Sequence, residues 1–194
     1  MSQKTLIVVL LDESGSMGVR KRETIAGFNS FLEEQMKLKD EDARFYLIKF
    51  NTSVKVVEEG VKLVNAEKLS SETYSPSGGT ALYDAIRVGI GLAEEDRNDK
   101  QRVVCVIITN GEENSSRYTT KEDVKGMIRK REAEGSWTFV YIGENPAGWN
   151  REISMRSNAI YFDETDAAQN FSMASQACER LRNSQLPSLD NIFE

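Results

Sequence analysis

Asp12, Ser14 and Ser16 alternate along "DESGSMG" (12–18), so three oxygen-bearing side chains stand two residues apart. In an extended turn that spacing puts them on one side, where their oxygens can converge on a single point. Two other short segments carry the same chemistry. Thr80 lies in "SPSGGTALYD" (75–84), and Asn110, with Glu112 and Glu113 nearby, lies in "TNGEENSS" (109–116). Oxygen donors alone suit a hard cation such as Mg²⁺, which takes ligands at about 2.0–2.1 Å in an octahedron and commonly keeps several waters. One carboxylate among hydroxyls leaves a divalent ion under-neutralised, so such a site would attract an anion from outside. The chain has no histidine, which excludes Ser-His-Asp and Cys-His catalysis and disfavours a catalytic zinc centre.

Taken singly, each segment has a commoner explanation. Ser and Asp after a strand serve as caps and turn formers. Gly78-Gly79-Thr80 before a helix reads as a turn and cap, and Asn110-Gly111 is among the strongest turn dipeptides. Their order along the chain, each beside an apolar run or a helix start, favours the joint reading.

The elements that must position these residues follow from hydrophobic pattern. "LIVVLL" (6–11) and "RVVCVIIT" (102–109) are continuous apolar runs bounded by polar residues, the signature of parallel strands buried on both faces. Strands are expected over 5–11, 44–50, 54–58, 102–109, 137–142 and 159–162. The short "NTS" link between the second and third suits a hairpin, predicting one antiparallel edge strand. Helical spacing predicts helices over 24–38, 81–93, 120–134 and 166–181, with Thr120 as a cap and Gly135 as a stop, and a short helix within "NPAGWNREISMRS". Residues 60–79 read as mostly irregular. Strands alternating with helices imply βαβ units with right-handed crossovers, an α/β doubly wound sheet with helices on both faces. At the carboxyl edge of such a sheet, where ligands bind, stand all three oxygen-rich segments.

The 194 residues suit one domain, expected over 1–183, with 184–194 as a loosely held tail. A net charge of −6 argues against nucleic acid as the main partner; the short patch Arg20-Lys21-Arg22 reads as a solvated helix start. Run 6–11 is shorter than a signal-peptide core and ends in acids, and no run is long enough to span a membrane. The two cysteines, Cys105 and Cys178, read as small buried core residues with no disulfide between them. A cytoplasmic location is therefore expected.

"VVLLDESGSM", "GGTALYDAI" and "VIITNGEEN" together resemble the von Willebrand factor type A domain and its metal-ion-dependent adhesion site. The resemblance covers nearly the whole chain. It implies a six-stranded, mostly parallel sheet with one short antiparallel edge strand, and a Mg²⁺ (or Mn²⁺) site to which Asp12, Ser14, Ser16 and Thr80 match as ligands. The family's aspartate in the third segment is replaced here by Asn110, whose amide oxygen can ligate or orient a water but brings no charge. The function implied is non-catalytic: the metal recognises an exposed Asp or Glu of a partner protein. Two alternatives stand beside it. One is a phosphatase or phosphotransferase of the haloacid-dehalogenase type, although Ser14 occupies the position where that chemistry needs a second aspartate. The other is a structural domain that has lost its metal. No Gly-x-x-x-x-Gly-Lys run exists, which excludes a P-loop.

Overall fold

Eight consecutive buried residues open the fold: β1 (Thr5–Asp12) has no solvent-exposed position. The computed structural model describes residues 5–38, 43–98, 101–143, 146–153, 158–161 and 167–183; residues 1–4 and the expected tail 184–194 lie outside these. In chain order the elements after β1 are α1 (Lys21–Met36), β2 (Arg44–Phe50), β3 (Val54–Lys62), α2 (Leu82–Asp96), β4 (Arg102–Ile108), α3 (Lys121–Ala133), β5 (Trp137–Gly143), α4 (Pro146–Ile153), β6 (Asn158–Tyr161) and α5 (Ala167–Asn183).

The six strands form one sheet in the order β3-β2-β1-β4-β5-β6. All neighbours are parallel except β2 and β3. The continuous apolar runs are explained by helices on both faces. Alternate residues Ile7, Val9 and Leu11 pack with Phe28, Phe31 and Leu32 of α1 and Phe171, Ala174 and Cys178 of α5. Leu6, Val8 and Leu10 pack on the opposite side with Leu82, Ala85 and Ile86 of α2 and Val124 and Ile128 of α3. A polar side chain in β1, β4 or β5 is therefore costly, although Thr5 of β1 keeps a buried hydroxyl without a hydrogen-bond partner.

Helix packing is close where glycine allows it. A Cβ on Gly27 of α1 would collide with the Phe171 ring of α5, so the absent side chain is the notch that seats Phe171. Thr120 caps α3 as expected: its hydroxyl accepts from the Asp123 N–H, and the Asp123 carboxylate accepts from the Thr120 N–H at 2.8 Å. Gly135, at φ +73°, follows the end of α3. Cys105 and Cys178 are both free and buried.

Most boundaries differ from the sequence expectation by one to three residues, α2 for example running on to Asp96, and those of β3 and α1 have a clear cause. β3 continues to Lys62 because register shifts opposite Phe45 and Leu47 let Val61 and Lys62 pair with Phe45 and Arg44. A bulge breaks the period-two pattern, so the continuation carries no alternation to read. α1 begins at Lys21 rather than residue 24, because a 3₁₀ turn over Gly15–Arg20 leads directly into it.

β1 lies between β2 and β4, and the chain leaves it toward β2 on one side while β4 returns on the other. The carboxyl end of β1 is therefore beside the point where strand order reverses, the place where open α/β sheets bind ligands.

Candidate metal centre

Asp12 is the last residue of β1 and is fully buried. Its Oδ1 accepts the Ser14 N–H at 2.7 Å, an Asx turn that folds the chain back toward the carboxylate. Its Oδ2 accepts the Thr109 hydroxyl at 2.6 Å, from the residue just beyond β4. The neighbouring acid goes elsewhere: Glu13 pairs with Lys49 at 2.8 Å and accepts the Ser75 N–H at 2.7 Å. Asp12 and Glu13 thus divide their work, one toward the sheet edge and one clamping the 70–79 segment.

That segment is fastened to the first loop at several points. The Tyr74 hydroxyl donates to the Asp12 carbonyl at 2.6 Å. Ser77 N–H donates to the Glu13 carbonyl, and Gly15 N–H to that of Gly78. Gly78 has φ +73°, and a Cβ there would collide with Thr52 Oγ1 at 2.5 Å; conformation and space both demand glycine. Gly79 is equally confined, against Asn114 and Ser115 of the third loop. The chain then enters Thr80, whose N–H donates to Asn114 Oδ1 at 2.9 Å.

The third loop completes the enclosure. The Glu113 carboxylate accepts the N–H groups of Tyr83, Ser115 and Ser116, at 3.0, 2.9 and 2.7 Å. It therefore caps the first turn of α2 from a distance in sequence, a favourable place for a negative charge. Asp84, inside that turn, accepts from the N–H groups of Arg117 and Tyr118. Of the two glutamates near Asn110, Glu113 serves α2 and Glu112 is exposed.

All five expected ligand residues are brought together. A Cβ placed on Gly111 would stand 2.9 Å from Thr80 Oγ1 and 3.5 Å from both Asp12 Oδ2 and Ser16 Oγ. Three oxygens from two loops and a strand end therefore surround one small volume beside the Gly111 backbone. Ser14 Oγ lies 3.1 Å from Ser16 Oγ, and the Ser16 hydroxyl donates to Asn110 Oδ1 at 2.8 Å. Asp12, Ser14 and Thr80 are buried, whereas Ser16 is exposed, so the cluster opens to solvent on the Ser16 side.

Burial raises the Asp12 carboxyl above the usual carboxylate range, against the hydrogen bonds from Thr109, from Ser14 and from the Asn110 N–H. None of the principal contributions to that balance comes from a cationic side chain. A buried carboxylate ringed by hydroxyl and amide oxygens, without a countercharge, suits a small hard cation. Among the described residues no group of three or more His, Cys, Asp or Glu side chains is poised to hold a metal; the cluster offers one carboxylate and neutral oxygens. Asp12, Ser14, Ser16, Thr80 and Asn110 supply oxygen donors alone, the kind that a hard divalent cation takes.

Thr109, Tyr74 and Gly111 were not singled out by sequence reasoning. Thr109 carried one weak signal, a hydroxyl at the end of an apolar strand expected to lie beside β1. Gly111 carried only the turn signal of Asn110-Gly111, and Tyr74 carried none.

Comparison with known proteins places this arrangement. No curated protein matches the sequence. Among solved structures, a von Willebrand factor type A protein from Catenulispora acidiphila superposes with a TM-score of 0.64 at 16% identity, covering 90% of this chain and 42% of that one. The PilB minor pilin from Streptococcus sanguinis gives 0.68 at 14% identity, with 94% and 62% covered. Proximal thread matrix protein 1 from the mussel byssus, in a structure with a zinc-occupied MIDAS motif, gives 0.62 at 14%, with 90% and 48% covered. The chain thus spans less than two thirds of each of these proteins, and at such identities the likeness is one of fold. A model of the von Willebrand factor type A domain matches residues 7–174. Domains of that family are protein-interaction modules. The buried strand ending in Asp12, the Gly78-Gly79-Thr80 turn and the loop after β4 are parts of one such domain, and the chain belongs to the von Willebrand factor type A domain family.

Proposed function

We propose that the protein is a non-catalytic, metal-dependent interaction module that captures an exposed Asp or Glu of a partner protein. The observation that supports this most is the convergence of Asp12, Ser16 and Thr80 oxygens about one point next to Gly111, with Ser14 and Asn110 in hydrogen-bond reach of Ser16. A bound Mg²⁺ or Mn²⁺ supplies a Lewis-acidic centre with an affinity for a carboxylate. The residues of this chain do the rest. Asp12 contributes the single full negative charge. Ser14, Ser16 and Thr80 contribute neutral oxygens, which leave positive charge for the partner. Thr109 and the Ser14 N–H hold the Asp12 carboxylate in one orientation, and Tyr74 fixes the backbone beneath it.

A cytoplasmic location is part of the same proposal, supported by two free, buried thiols; fractionation of the native protein tests it.

Thermal melts with and without Mg²⁺ or Mn²⁺ test the metal reading. A ligand that binds only the folded state raises the melting temperature by mass action. Asp12→Ala should abolish that rise by removing the charge. Gly111→Ala should abolish it too, although it deletes no donor, because the added methyl occupies the space between three of them. A cation response in Asp12→Ala equal to that of the wild type would overturn the assignment.

A further inference from the structure

Five large apolar side chains are exposed among the described residues, and the two most exposed are Val19, at 84%, and Tyr118, at 79%. Both stand at the carboxyl edge of the sheet, beside the candidate metal centre. Val19 lies in the 3₁₀ turn Gly15–Arg20, three residues beyond Ser16 and two before α1 begins. Tyr118 is held by its N–H to Asp84 Oδ1 in the first turn of α2, 3.1 Å away, and α2 opens directly after Thr80. α1 packs on one face of the sheet and α2 on the other. Val19 thus leads into the helix on one face, and the Tyr118 backbone is tied to the helix on the other.

Neither exposure serves the fold. Leu63, from the other end of the sheet, shows what this chain does with an apolar residue in a 3₁₀ turn: it is buried. Val19 instead follows buried Met17 and points to solvent. Each of the two also has an exposed arginine close in sequence, Arg22 and Arg117, in a chain whose net charge is −6. Each arginine sets a positive charge beside an exposed apolar side chain, a pairing that an acidic segment with apolar neighbours would meet.

We propose that Val19 and Tyr118 form an apolar rim around the metal centre, and that the rim receives a partner segment whose acidic residue has bulky apolar residues on both sides. This rests on the metal-dependent reading above and goes beyond it by naming the neighbours of the acid. The spacing follows from the fold. Three residues of 3₁₀ turn, at about 2 Å each, put Val19 about 6 Å from Ser16. Asp84 lies four residues beyond Thr80, in the first turn of α2, and the hydrogen bond that it accepts puts Tyr118 somewhat farther from the centre. An extended peptide advances about 3.3 Å per residue. The apolar residues then fall two or three positions before and after the acid.

A displayed peptide library tests this, with a fixed central Asp and three random residues on each side, selected on the full chain in Mg²⁺. Enrichment of Leu, Ile, Phe, Trp or Tyr at the second or third position on both sides is expected. The consensus peptide should bind Val19→Ser and Tyr118→Ser about 10-fold more weakly, with the Mg²⁺-induced rise in melting temperature unchanged in both. Absence of binders, flanks without apolar preference, or equal affinity for both variants would overturn the rim. Self-association of the chain that is lost in Tyr118→Ser would assign the patch to a second copy and overturn it as well. Repeating the selection in chelator separates the two ideas: flank-dependent binding that survives metal removal would sink the metal reading while the variants still decide the rim.

Discussion

Asn110→Asp probes the one position where the oxygen cluster lacks the charge its family pattern provides. Asn110 Oδ1 lies 2.8 Å from Ser16 Oγ. A cation about 2.1 Å from that hydroxyl oxygen is within about 5 Å of the amide oxygen. At that separation a carboxylate and a divalent ion attract by about 1.7 kcal/mol in bulk water and by about 7 kcal/mol at an effective dielectric near 20. Asn110 is half-buried, and repulsion between the new carboxylate and Asp12 subtracts from the gain. A net stabilisation of about 2 kcal/mol is expected, which tightens Mg²⁺ binding about 30-fold. The same charge makes the bound ion less electrophilic, so a partner carboxylate gains less from reaching it. Metal and partner tighten each other by one shared factor, and Asn110→Asp should shrink that factor while raising the affinity for metal alone. Calorimetric titration of Mg²⁺ into both proteins, with and without an Asp-containing peptide, reads both quantities. Equal or weaker Mg²⁺ binding by Asn110→Asp would refute the reasoning, because Asn110 would then not face the ion.

Other consequences are open to simpler measurements. Cys105 and Cys178 should resist alkylation in the native state and react together on unfolding, since burial pushes both thiols up, that of Cys178 to about 12; rapid native labelling of Cys105 would contradict its place in β4. Gly27→Val should cost about 1–3 kcal/mol in urea denaturation by forcing Phe171 out of its notch, and much less when Phe171 is already Leu. Burial tends to raise the Asp84 carboxyl, but the N–H groups of Arg117 and Tyr118 and the Thr119 hydroxyl outweigh it and hold it below its ordinary value. Its contribution to stability is therefore full above the unfolded carboxylate's pKa, near 4, and is lost as pH falls through the lower folded value. Asp84→Asn should flatten the acid limb of the stability profile below about pH 4, and an unchanged limb would show that these bonds do not favour the charged form.

Much of this molecule is written locally. The continuous apolar runs of β1 and β4 require cover on both faces, and that demand alone leads to a doubly wound parallel sheet. Asp12, Ser14 and Ser16 are legible as a group because two-residue spacing in one loop is a local property. Thr120 is legible as a cap for the same reason: its partner, Asp123, is three residues away. The end of β3 was not legible, because its bulges are set by the pairing with β2 and leave no alternation in the sequence.

The sequence by itself determined which oxygens are available and at which strand and helix ends they stand. It did not determine how far apart those ends come to rest. Ser16 and Asn110 meet across 94 positions of chain, and Asp12 and Thr109 across 97. Both contacts depend on the register that sets Leu11 against Ile108, and a slip by one residue would turn each side chain to the opposite face. The same holds for Glu113, which reads only as an oxygen donor near Asn110 in its loop yet lies at the N-terminus of α2 once that helix is packed. Tertiary structure decided which acids face the centre and which cap a helix, because hydrogen bonds between loops form only after the packed sheet and its crossovers have fixed where those loops stand.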